Sequence, residues 1–138
     1  MVDLHISTGV EEYRLNDKFS AWLNPTDPAF ISRLYSRFSD LEEKDKAWRE
    51  KMQTLSGADV LAAWDEGDAM FRAAIDDVLG EGCCSAVAGS VSVLAMADGA
   101  PIWMNILLAI IDVMDSAAAR EQKAVNPKLQ KYLSKYHK

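Results

Sequence analysis

Apolar residues recur along most of this chain with the period of an α-helix, and near its start with that of a strand. Val2, Leu4 and Ile6 alternate with Asp3, His5 and Ser7, and Tyr13 and Leu15 repeat the period of two after Gly9, which predicts a short β-hairpin over about residues 1–16. A lone two-stranded hairpin is marginal in water, so this one must pack on helices or pair with a strand of another chain. Next, Asp27 is placed to N-cap a helix whose first position is Pro28. At 100° per residue Phe30, Leu34, Leu41, Trp48, Met52 and Leu55 fall within about 60° of arc, with Ile31, Tyr35 and Phe38 beside them. Unbroken, that helix is roughly 40 Å long. Its charged centre, Asp40 to Lys46, is where it would protrude or break.

Ser56-Gly57 ends this segment, and Val60, Leu61, Trp64, Phe71, Ile75 and Val78 predict a second helix from about Ala58 to Leu79. Gly80-Glu81-Gly82 is expected to stop it with a left-handed C-cap and a turn, conformations that glycine enters cheaply. Residues 83–97 are small and apolar and read equally as a short helix, a buried loop or a strand around Val91 to Leu94. After the turn Asp98-Gly99-Ala100-Pro101, the stretch Ile102 to Asp115 is polar only at Asn105, Asp112 and Asp115, which project within about 80° of one another. A helix so apolar needs cover on several sides, at the centre of a bundle or against a partner. Asn126-Pro127 then starts a basic helix with Leu129, Tyr132, Leu133 and Tyr136 at helical spacing. The fold class expected is mainly α: a bundle of three to five helices with a small N-terminal hairpin. Its helical domain covers residues 1–118, and residues 119–138 form a basic amphipathic tail.

Composition changes this picture in one respect. At 138 residues and 49% hydrophobic, the chain suits one globular domain that folds without disulfides or metals. The net charge of −6 is unevenly placed: residues 119–138 carry net +5 and residues 1–118 net −11. An acidic body repels a phosphate backbone, so nucleic acid is not an expected partner. Adjacent Cys83 and Cys84 cannot join distant parts of the fold, which suits a reducing compartment. Met1 to Thr8 lacks the pattern of a signal peptide, and the longest apolar run, about 13 residues, is shorter than the roughly 20 of a transmembrane helix. A cytoplasmic protein without a membrane span is expected.

Candidate chemistry is sparse. His5 and His137 stand near opposite ends, and Cys83-Cys84 lacks the C-x₂₋₄-C spacing that closes thiolates on zinc, so no metal site is expected. A cysteine nucleophile needs a base beside it, and buried cysteine usually packs as a small hydrophobe. Asp65-Glu66-Gly67-Asp68 lacks the order of an EF-hand loop, and Gly80-Glu81-Gly82 lacks the lysine of a phosphate loop. The carboxylates read as a solvated face. No catalytic residue and no cofactor site is expected. Trp48 and Trp64 lie on the apolar stripes of their helices and read as core. Trp22 and Trp103 are candidate partner anchors, with Ile106 and Ile110 on the apolar helix and Lys128, Lys131 and Lys135 in the tail.

The segment LNDKFSAWLNPTDPAFISRLYSRFSDLEEK, with FRAAIDDVLGEGCCSAV and DGAPIWMNILLAIIDVMD, resembles small tail assembly chaperones encoded by long-tailed phages and prophages of Firmicutes. Ile75-Asp76, Gly80-Glu81-Gly82-Cys83 and the apolar helix after them carry the resemblance, which spans roughly residues 13–116. It implies a helical, oligomeric cytoplasmic protein that coats the apolar tape measure protein until tail tube subunits polymerise around it. That role needs apolar grooves and no active site. Two rivals belong to other classes: a structural virion component, such as a head–tail connector or tail terminator, and a small inhibitor of host defence whose acidic surface mimics nucleic acid.

Overall fold

The computed structural model describes residues 1–124 and 126–136. In chain order its elements are β1 (Glu11–Leu15), β2 (Phe19–Leu23), α1 (Pro28–Met52), α2 (Ala58–Leu79), α3 (Cys83–Ala88), β3 (Met96–Ala97), β4 (Ala100–Pro101), α4 (Ile102–Lys123) and α5 (Pro127–Tyr136). The chain is mainly α with one small N-terminal hairpin, as the hydrophobic pattern predicts. A two-residue ladder, Met96–Ala97 with Ala100–Pro101, leads into α4.

The hairpin lies further along than expected. β1 pairs antiparallel with β2, Tyr13 opposite Ala21 and Leu15 opposite Phe19. Asn16 and Asp17 turn the chain with φ of 53° and 56°, and the Lys18 amide donates to the Leu15 carbonyl at 3.0 Å. Positive φ at two successive turn residues matches the twist of paired strands, and Asn and Asp tolerate it. The expected first strand, Val2 to Ile6, pairs with no strand among the described residues: Val2, Leu4 and Ile6 are about four-fifths exposed. Asn24 holds the junction, donating from Nδ2 to the Thr8 carbonyl at 2.8 Å.

α1 starts as its cap dictates, with Asp27 Oδ1 accepting from the Ala29 amide at 3.0 Å, and it runs through the charged stretch Asp40 to Lys46 without a break. Phe30, Leu34, Leu41 and Met52 are buried on one face, whereas Leu55 lies beyond the helix end. α2 returns antiparallel to α1, with Arg37 paired to Asp77 at one end and Trp48 against Gly67 near the other. A side chain at Gly67 would meet the Trp48 ring, so the close approach of these helices depends on that glycine. Phe71, Ile75 and Leu79 form the buried face of α2, and Leu61 points outward, 68% exposed, off the expected stripe. Gly80 ends α2 at φ 127° and ψ 145°, outside the left-handed helical region expected for it; Gly82 takes that conformation and precedes α3.

α4 closes the core. Trp103 is fully buried between Phe38 of α1 and Phe71 of α2, with ring centroids 5.8 and 5.6 Å away, and its Nε1 donates to Asp45 at 3.2 Å. Ile106, Leu107, Ile110, Met114 and Ala117 continue the buried face. The helix runs on to Lys123, so the domain boundary expected after residue 118 falls inside it. In length and composition α4 is apolar enough to cross a membrane, a test that core helices also pass. Its apolar positions exceed what the fold covers: Leu108 is 40% exposed, and Ile102, Met104, Ile111 and Val113 are only partly buried.

Candidate functional site

One side of α4, away from Met104, Leu108 and Ile111, is a wall of an open groove of about 590 Å³. Ile102, Ile106, Ala109, Ile110 and Val113 lie within about 100° on the helix and face it. Tyr13 and Leu15, alternate residues on the inward face of β1, form the second wall. Val87 and Ala88 of α3, with Val91 just beyond, form the third. Ala97 and Asp98 close one end, where Asn105 Nδ2 donates to the Ala97 carbonyl at 2.8 Å. Arg14, Asn16, Asp98 and Asn105 make the lining polar at its edges, and exposed Asp112 lies about two turns along α4 from Asn105 on the same side.

Two carboxylates on α2 hold the third wall in place. Asp76 accepts from the Gly82 amide at 3.2 Å and the Cys84 amide at 2.9 Å, tying the start of α3 to α2. Asp68 accepts from Arg72 Nε and from the Val93 amide at 2.8 Å. Arg72 in turn donates to the carbonyls of Gly89 at 2.8 Å and Val91 at 2.7 Å. The loop after α3 makes no long ladder of its own, so this side-chain clamp satisfies its backbone groups and fixes Val91 beside the groove.

The residues singled out from sequence separate in space. Ile106 and Ile110 reach the groove, although most of their surface is buried in the core. Trp103 has no exposed surface, so it anchors the core and offers no face to a partner. Trp22 is 67% exposed, on the outward face of the hairpin, beside a second cavity of about 600 Å³ lined by Thr8, Asn24, Asp27 and Arg33 among others. That cavity is the more polar of the two, and α4 takes no part in it. Lys128, Lys131 and Lys135 are exposed on α5, away from the groove of their own chain. Tyr13, Leu15, Val87, Ala88 and Val91 were not legible as site residues, because only the tertiary fold brings the hairpin and α3 against α4.

Burial pushes the Cys83 thiol up to about 11, with the nearby Asp76 carboxylate adding to the effect, and Cys84 is raised by the same causes. Thiols held protonated are poor nucleophiles. Among the described residues no group of three or more His, Cys, Asp or Glu side chains is gathered to hold a metal ion. What the site presents is an open apolar trough with polar edges on a rigid helix, an arrangement suited to an apolar helix or strand of another protein. Comparison with protein-family models, with curated proteins and with solved structures finds no match.

Proposed function

We propose that this chain is a tail assembly chaperone of a long-tailed phage or prophage. It holds an apolar helical stretch of a tape measure protein in the α4 groove until tail tube subunits displace it, and it acts in the cytoplasm of the bacterial host. The observation that carries this reading is the groove itself: an open trough of about 590 Å³ with an apolar wall of Ile102, Ile106, Ala109, Ile110 and Val113 on α4. From Ile102 to Val113 the wall extends about 16 Å, the length of three turns of a client helix. Such a contact is mostly apolar and open along one side, so it shields the client without enclosing it and releases it to a competing surface. No bond is made or broken. The sequence resemblance to tail assembly chaperones points the same way.

Co-expression with the tape measure protein of the same tail gene block tests the proposal. The client is expected to become soluble and to co-purify with this chain, and mass spectrometry of finished particles is expected to find the client without the chaperone. A client that stays insoluble and unbound overturns the reading, and the chain's presence in the particle favours a structural virion role.

A further inference from the structure

The apolar side chains Leu129 and Leu133 of α5 lie outside the core. Leu129 and Leu133 are 54% and 43% exposed, and Lys128, Lys131 and Lys135 stand within about 60° of one another along the same short helix. Beside the groove, Asp98 and Asp112 are exposed and make no ion pair among the described residues. We propose that α5 of one copy occupies the α4 groove of a second copy. Leu129 and Leu133 cover Ile106, Ala109 and Ile110, and the lysines stand over Asp98 and Asp112.

Lengths and charges support this occupant. Ten residues of α5 extend about 15 Å, against about 16 Å of groove between Ile102 and Val113. The groove's own chain cannot supply the same helix. Three residues, 124–126, separate α4 from α5, and they allow about 10 Å, which a reversal onto a neighbouring helix axis consumes. Folded back from Lys123, α5 then reaches only to the level of Val113, the far end of the groove. The contact is therefore between copies, and the tail net charge of +5 against a body of −11 favours it. The inference uses the groove of the proposed function but not the identity of its client. A groove covered by α5 stays out of water until a client competes for it.

Light scattering after size exclusion of the full chain tests it. The mass is expected to rise from 15.3 kDa to twice that or more with increasing concentration, and to fall back as salt screens the lysines. Leu133→Glu removes the inserted helix and Ala109→Glu blocks the groove; each side chain is exposed, so circular dichroism should match the unsubstituted chain. Each variant alone is expected to remain at one chain, while an equimolar mixture regains a two-chain species through one intact α5 and one intact groove. Lys128→Glu with Lys131→Glu provides a second route to the same loss. A wild-type chain that stays monomeric at every concentration, an L133E variant that associates normally, or a mixture that stays at one chain would overturn the proposal. L133E is expected still to bind a tape measure segment, and a wild-type chain that binds the segment without self-associating sinks this inference alone. Retained self-association without client binding sinks the chaperone reading alone.

Discussion

Asp68 offers a perturbation whose cost can be worked from geometry. Its carboxylate takes the Val93 amide at 2.8 Å and the Arg72 Nε at 3.1 Å, and the Asp68 and Arg72 side chains are only 23% and 18% exposed. Asp68→Ala leaves the Val93 amide without an acceptor, beside a Val93 side chain that is fully buried. Loss of a charge-assisted hydrogen bond of this kind costs about 1.5–3 kcal/mol. The helical ion pair adds about 0.3–0.5 kcal/mol. A total of about 2–3 kcal/mol follows, which for a chain of this size lowers Tm by about 4 °C per kcal/mol, or about 10 °C. Asp68→Asn keeps an oxygen for Val93 and loses the charge, so about 1 kcal/mol is expected. Urea unfolding followed by circular dichroism measures both. An Asp68→Ala variant within about 0.5 kcal/mol of wild type, the ordinary range for surface substitutions, would refute the clamp. Equal losses for Ala and Asn would show that the Val93 amide does not depend on this oxygen.

Gly67→Ala would set a Cβ 2.7 Å from Trp48 Nε1 and 3.0 Å from Leu94 Cδ1, so the roughly 1 kcal/mol of helix propensity gained over glycine should be outweighed and unfolding should come at lower urea. A raised thiol pKa in the folded state means that stability is complete below the unfolded value of 9.0 and declines as pH rises towards about 11 and beyond. Denaturation midpoints measured between neutral pH and this range should therefore fall more steeply for wild type than for a Cys83→Ala, Cys84→Ala variant. Deletion of residues 1–6, whose side chains are exposed, should leave stability within about 0.5 kcal/mol of wild type by urea unfolding; a larger loss would show that the segment packs on the fold.

The long helices were legible because their signals are local. Asp27-Pro28 and the 3.6-residue stripe of Phe30, Leu34 and Leu41 fix α1, and Gly57 and Gly80 bound α2. The hairpin was misplaced because Val2, Leu4 and Ile6 alternate more cleanly than Phe19 to Leu23, where Ala21 and Ser20 dilute the period; Asn16-Asp17 was the local sign of the true turn. Residues 83–97 stayed ambiguous for a different reason. Their path is set by Asp68, Arg72 and Asp76 on α2, side chains whose role no local pattern displays. The surplus of apolar surface on α4 was visible in sequence, whereas the groove was not, since Tyr13, Val87 and Ile106 are distant along the chain.

Titration of a labelled apolar helical segment of the tape measure protein against wild type and Ala109→Glu, followed by fluorescence anisotropy, measures the groove's role as a client site. Wild type should bind saturably, and Ala109→Glu, which puts a buried and unpaired charge under the client helix, should bind at least tenfold more weakly with its circular dichroism unchanged. Equal binding by the two proteins would place the client elsewhere and contradict the account.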